Sequence, residues 1–208
     1  MIASILKLNR RDIQSLRVTD DYSLHRVVYS LFEDIRSDEE KHASVPSGFL
    51  FADKGGDINN RVILILSDRE PRTPEFGTLE SKAVGDAFLE HDHYQFEVLV
   101  NPTRRDNASR KLVALRNRAD IEPWFITKAP SSWGFKIHPE SLEVRVMQTK
   151  QFTKKDNKVI QGRALITGVL SVQDRSLFRK SFQQGIGRGR AFGFGMLQIA
   201  PIIVSTNN

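Results

Sequence analysis

His25 lies three residues after Tyr22 and four before Tyr29 in the stretch DDYSLHRVVYSLF, residues 20–32. An imidazole titrates near neutrality and can give a proton to a reacting oxygen or take one from it. A tyrosine one helical turn away can orient the ring or share its hydrogen bond. Leu24, Val27, Val28, Leu31, Phe32 and Ile35 recur at helical spacing, which predicts a helix from Asp20 to Ile35 with one buried stripe. At roughly 100° per residue, with Leu24 at zero, that stripe runs from about −60° to about 80°. His25 then falls at about 100°, Tyr29 at about 140° and Tyr22 at about 160°, a polar-aromatic line along the border of the stripe. A side chain there can be held by packing and still meet a ligand. A boundary histidine with amphipathic neighbours and no chemistry gives the same pattern, so spacing alone leaves both readings open.

The second candidate is QQGIGRGRAFGFGML, residues 183–197, with glycines at 185, 187, 189, 193 and 195. Glycine-rich loops often cradle phosphates, but the named nucleotide patterns fail here. In the G-x-G-x-x-G register the third glycine position falls on Arg190 or on Phe192, and no Gly-Lys-Ser/Thr triplet occurs. The order of elements is also reversed. A helix capped by Asp174 precedes the glycines and the strand-like LQIAPIIV follows them. No nucleotide cofactor is expected. Gly185, Gly187, Gly189, Gly193 and Gly195 would let a helix turn tightly into the last strand. Arg188 and Arg190 are candidates for phosphate contacts, and Phe192 and Phe194 are core plugs or stacking platforms.

The remaining chemistry is thin. His91-Asp92-His93 precedes a strand and no third good ligand is visible, so no metal is expected. His42 and His138 sit in loop-like sequence and are expected to be solvated. The chain holds no cysteine, which excludes disulfides and thiolate metal sites. G-x-S-x-G and H-E-x-x-H are absent.

Charge is divided unevenly. Residues 1–100 carry 12 Lys/Arg against 18 Asp/Glu, whereas residues 101–208 carry 19 against 7. A strongly basic second half points to a polyanion as partner, nucleic acid above all. No apolar run is long enough to span a bilayer, and MIASILKLNRR lacks the order of a signal peptide. A cytoplasmic protein is the expectation.

Two similar runs of elements carry these residues. The first half reads as the strand ASILKLN, the helix bearing His25, the strands GFLFAD and VILILSD, and a further strand through Tyr94, Phe96, Val98 and Val100. Between them, residues 71–92 settle into no clear helix. The basic segment TRRDNASRK reads as a linker or an exposed loop. The second half reads as the strand KLVAL, a partly helical region from Ile121 to Trp133 interrupted by Pro130, and two long strands, SLEVRVMQTKQF and VIQGRALITGVL, around the turn KKDN. The helix at 174–184 and a final strand close it. Both halves follow the split βαβ, ferredoxin-like order. The expected domains are 1–101, a linker at 102–110, and 111–208.

The D-Y-x-L-H-x-x-x-x-x-L-F pattern of Asp21 to Phe32, paired with QQGIGRGRAFGFGMLQIAP, resembles the CasE family of CRISPR repeat-processing endoribonucleases, in the RAMP superfamily. The glycine stretch is similar to the superfamily's G-h-G-x(5)-G-h-G loop, with Gly185, Gly187, Gly193 and Gly195 on the glycine positions. The resemblance implies an α+β fold of tandem ferredoxin-like domains, the first with a weak or missing second helix. It implies a metal-independent cut at the base of a hairpin in CRISPR repeat RNA. The 2′-hydroxyl attacks the adjacent phosphate, leaving a 2′,3′-cyclic or 3′ phosphate and a 5′-hydroxyl. His25 aligns with the family's catalytic histidine and Tyr22 with its active-site tyrosine. The product's 3′ hairpin would stay bound, with the protein a subunit of the Cascade surveillance complex beside its backbone subunits. The basic hairpin KQFTKKDNK would grip the RNA stem through Lys150, Lys154, Lys155 and Lys158. Arg116 and Arg118 join them on charge, and Arg26 because it follows His25 on the helix. No cofactor is implied. The alternative is a non-catalytic RAMP subunit that caps a guide RNA without cutting it.

Overall fold

The computed structural model describes residues 1–42, 45–57, 59–154 and 157–203, with side chains except at 42, 148–154 and 157–161. The chain forms two compact units. The first comprises Met1–Val84 with Arg190–Gly193, the second Gly85–Gly189 with Phe194 onward.

The first unit runs β1 (Ile2–Asn9), α1 (Arg10–Ser15), α2 (Asp21–Ser30), α3 (Asp38–His42), β2 (Phe49–Gly56), β3 (Asn60–Ser67) and β4 (Thr78–Ala83). The strands lie in the order β2-β3-β1-β4, every pair antiparallel. This is the ferredoxin-like sheet. Residues 68–77, where a second crossover helix would stand, contain none. Alternation in β1 sends Ser4, Leu6 and Leu8 inward, and the two leucines join a core with Ile63 and Ile65 of β3, Phe51 of β2 and the apolar face of α2. Leu24, Val27, Val28 and Leu31 supply that face, and burial of such side chains stabilises by about 1.5–3 kcal/mol each.

The helix α2 begins where the sequence places it and ends early. Asp20 accepts a hydrogen bond from the Ser23 amide (2.7 Å), and Ser23 Oγ accepts one from the Asp20 amide (2.9 Å), a reciprocal capping box. At the other end the amide of Phe32 reaches back to the carbonyl of Tyr29, and the carbonyl of Leu31 accepts from the amide of Arg72. The backbone is thus satisfied at Leu31 without a further turn. Ile35, expected on the buried stripe, is 67% exposed.

The second unit runs β5 (His93–Val100), β6 (Thr103–Arg105), β7 (Leu112–Ala114), α4 (Arg118–Trp133), β8 (Phe135–Ile137), β9 (Glu143–Lys154), β10 (Asn157–Val172), α5 (Arg175–Gln184) and β11 (Gln198–Pro201). Its sheet order is β11-β5-β10-β8, with β9 also paired to β10. One strand position is thus filled by two pieces, and the ferredoxin-like order recurs. Tyr94, Phe96, Val98 and Val100 of β5 point into a core with Phe125 and Trp133 of α4 and Phe178 of α5. Phe96 stacks on Phe125 at 5.9 Å, and Tyr94 meets Phe178 at 5.3 Å. Burial pushes the Tyr94 phenol above its ordinary value, and its hydroxyl donates to the carbonyl of Phe88.

Several assignments change. The strand at 93–100 opens the second unit instead of closing the first, because its partners are β10 and β11. The first unit's fourth strand is β4, polar and mostly exposed, which hydrophobic alternation does not mark. The division therefore falls at Val84–Gly85, not at 102–110. The basic segment there is no linker: Thr103–Arg105 pairs with Leu112–Ala114 as a hairpin, and KLVAL serves that hairpin instead of the core sheet. Finally, α4 is continuous through Pro123 and Pro130, its Ile121, Phe125, Ala129 and Trp133 all buried. Core packing at four successive turns outweighs the two missing amide donors. Among the described residues no helix is long and apolar enough to cross a membrane.

Candidate active site

His25 sits half-buried on the second turn of α2, at the border that its helical angle gives it. Its Nδ1 lies 2.6 Å from the carbonyl oxygen of Ala191. A carbonyl only accepts, so Nδ1 carries the proton. Proton exchange with a substrate then falls to Nε2. Three rings fix the imidazole: Tyr29 with centroids 3.9 Å apart, Phe192 at 5.4 Å, and Tyr22 stacked at 5.9 Å with planes 21° apart. Tyr22 is 39% exposed, whereas Tyr29 turns inward onto Phe49. Arg26 is exposed on the adjoining face.

Residues 190–193 of the glycine-rich stretch build the other wall. Gly185–Gly189 and Phe194 onward belong to the second unit, and Arg190–Gly193 to the first. Residues 190–192 form one 3-10 turn. Gly193, at φ +81°, packs so tightly on Phe51 of β2 that a Cβ would stand 3.0 Å from the ring. In the second unit Gly195 donates to the carbonyl of Leu99 and accepts from the amide of Ile186.

Electrostatics anchors the start of α2. Asp21 is buried in its first turn, where the helix dipole favours a negative charge. The hydrogen-bonded carboxylate of Asp53, with Asp21 beyond it, holds the Arg61 guanidinium above its ordinary value.

The structure thus gathers Tyr22, His25, Arg26 and Arg190 in the first unit. Arg116, Arg118 and Arg188 lie in the second unit, all three exposed. Arg118 is paired with Glu122 at 3.0 Å, and Arg188 bridges Asn101 through its backbone. The hairpin of β9 and β10 exists as expected, but Lys155 and the side chains of Lys150, Lys154 and Lys158 lie outside the described residues. Gly185, Gly187, Gly189, Gly193 and Gly195 all adopt positive φ. Phe194 is a core plug, 1% exposed.

Sequence spacing missed two members of the site. The Ala191 carbonyl leaves no side-chain signal, and Phe192 is no simple core plug but part of the histidine's wall. His138 also departs from expectation: it is half-buried and bonded to Ser171 (2.5 Å), which reaches His93 (3.0 Å). The side chain of His42 lies outside the described residues.

Two ferredoxin-like units with a histidine seated between a helix and a glycine-bounded turn define the class. A model of the family described as CRISPR associated protein matches residues 1–201. The chain belongs to that family, and the resemblance read from its two motifs is borne out at that level. The CRISPR-associated endoribonuclease Cse3 of Thermus thermophilus is 29% identical over 120 residues, 51% of this chain and 55% of that protein. The matched region thus spans little more than half the length of that relative. Among solved structures, a Cse3 endoribonuclease bound to a 19-nucleotide RNA superposes with a TM-score of 0.75 at 21% identity, covering 97% of this chain and 100% of the other. Cas6e from Escherichia coli K-12 gives 0.71 at 21% identity, with 97% and 100% covered. A chain of a CRISPR RNA-guided surveillance complex gives 0.64 at 16% identity, with 97% and 100% covered. The shared fold is the tandem ferredoxin-like one.

Proposed function

We propose that the chain is a metal-independent endoribonuclease that cuts CRISPR repeat RNA at the base of a hairpin and keeps the hairpin as its product. The observation that carries this is the imidazole of His25, tied at Nδ1 to the Ala191 carbonyl and walled by three aromatic rings. Held so, a protonated ring gives its Nε2 proton to the 5′-oxygen as the phosphorus–oxygen bond breaks, an assistance worth about 10²–10⁴-fold. The neighbouring 2′-hydroxyl attacks the phosphorus in line and gives up its proton to water, and positioning of the RNA backbone supplies much of the remaining rate. The products are a 2′,3′-cyclic phosphate and a 5′-hydroxyl. Tyr22, exposed and stacked on the imidazole, hydrogen-bonds the scissile phosphate. Arg26 and Arg190 of the first unit, with Arg116, Arg118, Arg188 and the hairpin lysines Lys150, Lys154, Lys155 and Lys158, contact phosphates. The relatives bound to RNA and in a surveillance complex support the same partners here: repeat RNA and the other subunits of a Cascade assembly.

The test uses a cognate repeat carrying a 2′-deoxy substitution at the scissile position, assayed in EDTA. Cleavage should vanish with the substitution and persist with the chelator; the reverse in either arm overturns the mechanism. His25→Ala should stop cutting and leave hairpin affinity within about threefold, less than about 1 kcal/mol. A His25→Ala protein that cuts at full rate overturns the assignment of His25, whereas parental protein that cuts no isolated repeat RNA at all leaves a non-catalytic capping subunit as the better reading.

A further inference from the structure

The helix α4 has two faces. Ile121, Phe125, Ala129 and Trp133 are buried against the sheet of the second unit. Asp120, Pro123, Trp124, Thr127 and Lys128 recur at i, i+3, i+4, i+7 and i+8, so they share the other side. That side floors an open groove of about 760 Å³, walled by Arg104, Arg105 and Leu112 of the β6–β7 hairpin and by Arg188.

The groove combines cationic side chains with an aromatic ring. The side chains of Arg104, Lys128 and Arg188 make no hydrogen bond and no ion pair among the described residues. The one carboxylate among the described lining residues, Asp120, is held by the Asn117 side-chain amide at 2.8 Å. Trp124 is half-buried, set edge-on to Trp133 at 6.0 Å. Its indole N–H makes no hydrogen bond among the described residues.

From this juxtaposition we propose that the groove binds single-stranded RNA, with one base against Trp124 and its flanking phosphates on Arg104, Lys128 and Arg188. This rests on the reading of the protein as RNA-binding and adds a subsite for strand outside the hairpin. A duplex keeps its bases stacked inside and offers an indole no ring face, whereas an unpaired base does. Stacking of a base on an aromatic side chain is worth about 1–3 kcal/mol, whichever base it is. The surrounding cations bind the backbone by releasing counterions, which makes the contact salt-dependent. An acidic protein segment would satisfy the cations and leave the indole unused.

The chain's two tryptophans make the test direct, since Trp133 is 5% exposed and Trp124 lines the groove. Hexauridylate, which has no hairpin, is titrated into the full chain and intrinsic fluorescence is read. Saturable quenching that weakens as salt rises is expected. Trp124→Leu should lose the quenching and bind labelled hexauridylate about 5- to 100-fold more weakly by anisotropy, the loss of one stacked base. The double variant Arg104→Glu, Lys128→Glu should weaken binding about tenfold or more. Absence of quenching, or unchanged affinity in the charge-reversed variant, overturns the proposal. So does hexaglutamate that competes as well as hexauridylate, which would give the groove to an acidic protein. The nuclease reading is tested apart from this one. Groove variants should cut an isolated hairpin at the parental rate, and His25→Ala should bind hexauridylate normally.

Discussion

Nδ1 of His25 lies 2.6 Å from the carbonyl oxygen of Ala191, 166 positions further along the chain. The bond links a helix near one terminus to a backbone atom near the other, and it sets which ring nitrogen handles the proton. What holds the carbonyl in place is the turn at 190–192, closed by Gly193 against Phe51.

Gly193→Ala should therefore damage catalysis through the backbone. The new Cβ would stand 3.0 Å from the Phe51 ring at φ +81°, so the turn must shift and the Ala191 carbonyl with it. A hydrogen bond to a charged group contributes about 1.5–3 kcal/mol, so the single-turnover cleavage rate should fall about 10- to 100-fold. Hairpin affinity should stay within about threefold, or less than about 1 kcal/mol. An equal loss of affinity would mean that the turn serves RNA binding instead.

Tyr29 is expected to act as a ring and not as a hydroxyl. Its centroid is 3.9 Å from that of His25 and 4.7 Å from that of Phe49, while its hydroxyl is only 3.4 Å from Ser47 Oγ, a long hydrogen bond. Tyr29→Phe should cut RNA at close to the parental rate. Tyr29→Ala should lose activity and up to about 3 kcal/mol of stability, less than a fully buried aromatic because the ring is half-buried. Thermal melting and cleavage assays on the pair separate the two roles, and inactive but well-folded Tyr29→Phe would assign work to the hydroxyl.

Much of this was open to reading in the sequence, and what escaped has physical causes. The period of Leu24, Val27, Val28 and Leu31 gave α2, and the same wheel put His25 at the edge of its buried face. The far end of α2 escaped because Ile35 fits the period, while the helix ends where Arg72 takes the Leu31 carbonyl. The strand β4 escaped because it is an exposed edge whose residues TLESKA alternate in nothing. The strand β5 was seen but given to the wrong unit, since alternation marks a strand and not its partners. The site's histidine and tyrosine were visible as types at a spacing. The carbonyl that fixes the tautomer was not, because every residue has one.

Asp34 gives a pH-dependent test of the segment that follows α2. Its carboxylate accepts from Nε and Nη2 of Arg36, whose Nη1 donates to the Val45 carbonyl. The Arg36 side-chain bond is the main reason the Asp34 carboxyl falls from 3.8 to about 2. A depressed folded-state value contributes stability above the unfolded value, and that contribution is lost as pH falls through the folded one. Parental protein should therefore be more stable than Asp34→Asn above about pH 4, the difference fading to nothing near about pH 2. The pair is partly exposed, so the plateau should stay below about 1 kcal/mol. A difference that persists unchanged at the acid end would assign the effect to neutral contacts of the side chain.

The glycines of the C-terminal stretch should differ sharply in what they tolerate. At Gly195 a Cβ would stand 2.1 Å from the carbonyl oxygen of Ile186, which no side-chain adjustment relieves because the clash is with backbone. The same glycine is tied to Leu99 and Ile186 by its amide and carbonyl, so moving it breaks both bonds. Gly187 has equally positive φ, +71°, but no atom within 4 Å of its would-be Cβ. Gly187→Ala should cost only the backbone strain of a left-handed alanine, about 1–2 kcal/mol. Gly195→Ala adds a clash and two lost hydrogen bonds, each worth about 0.5–1.5 kcal/mol, and should melt well below it or fail to fold. Chemical denaturation of the two variants side by side measures the gap. Similar stabilities would mean that the close approach of Gly195 to Ile186 relaxes cheaply, and that φ alone explains the glycine at both positions.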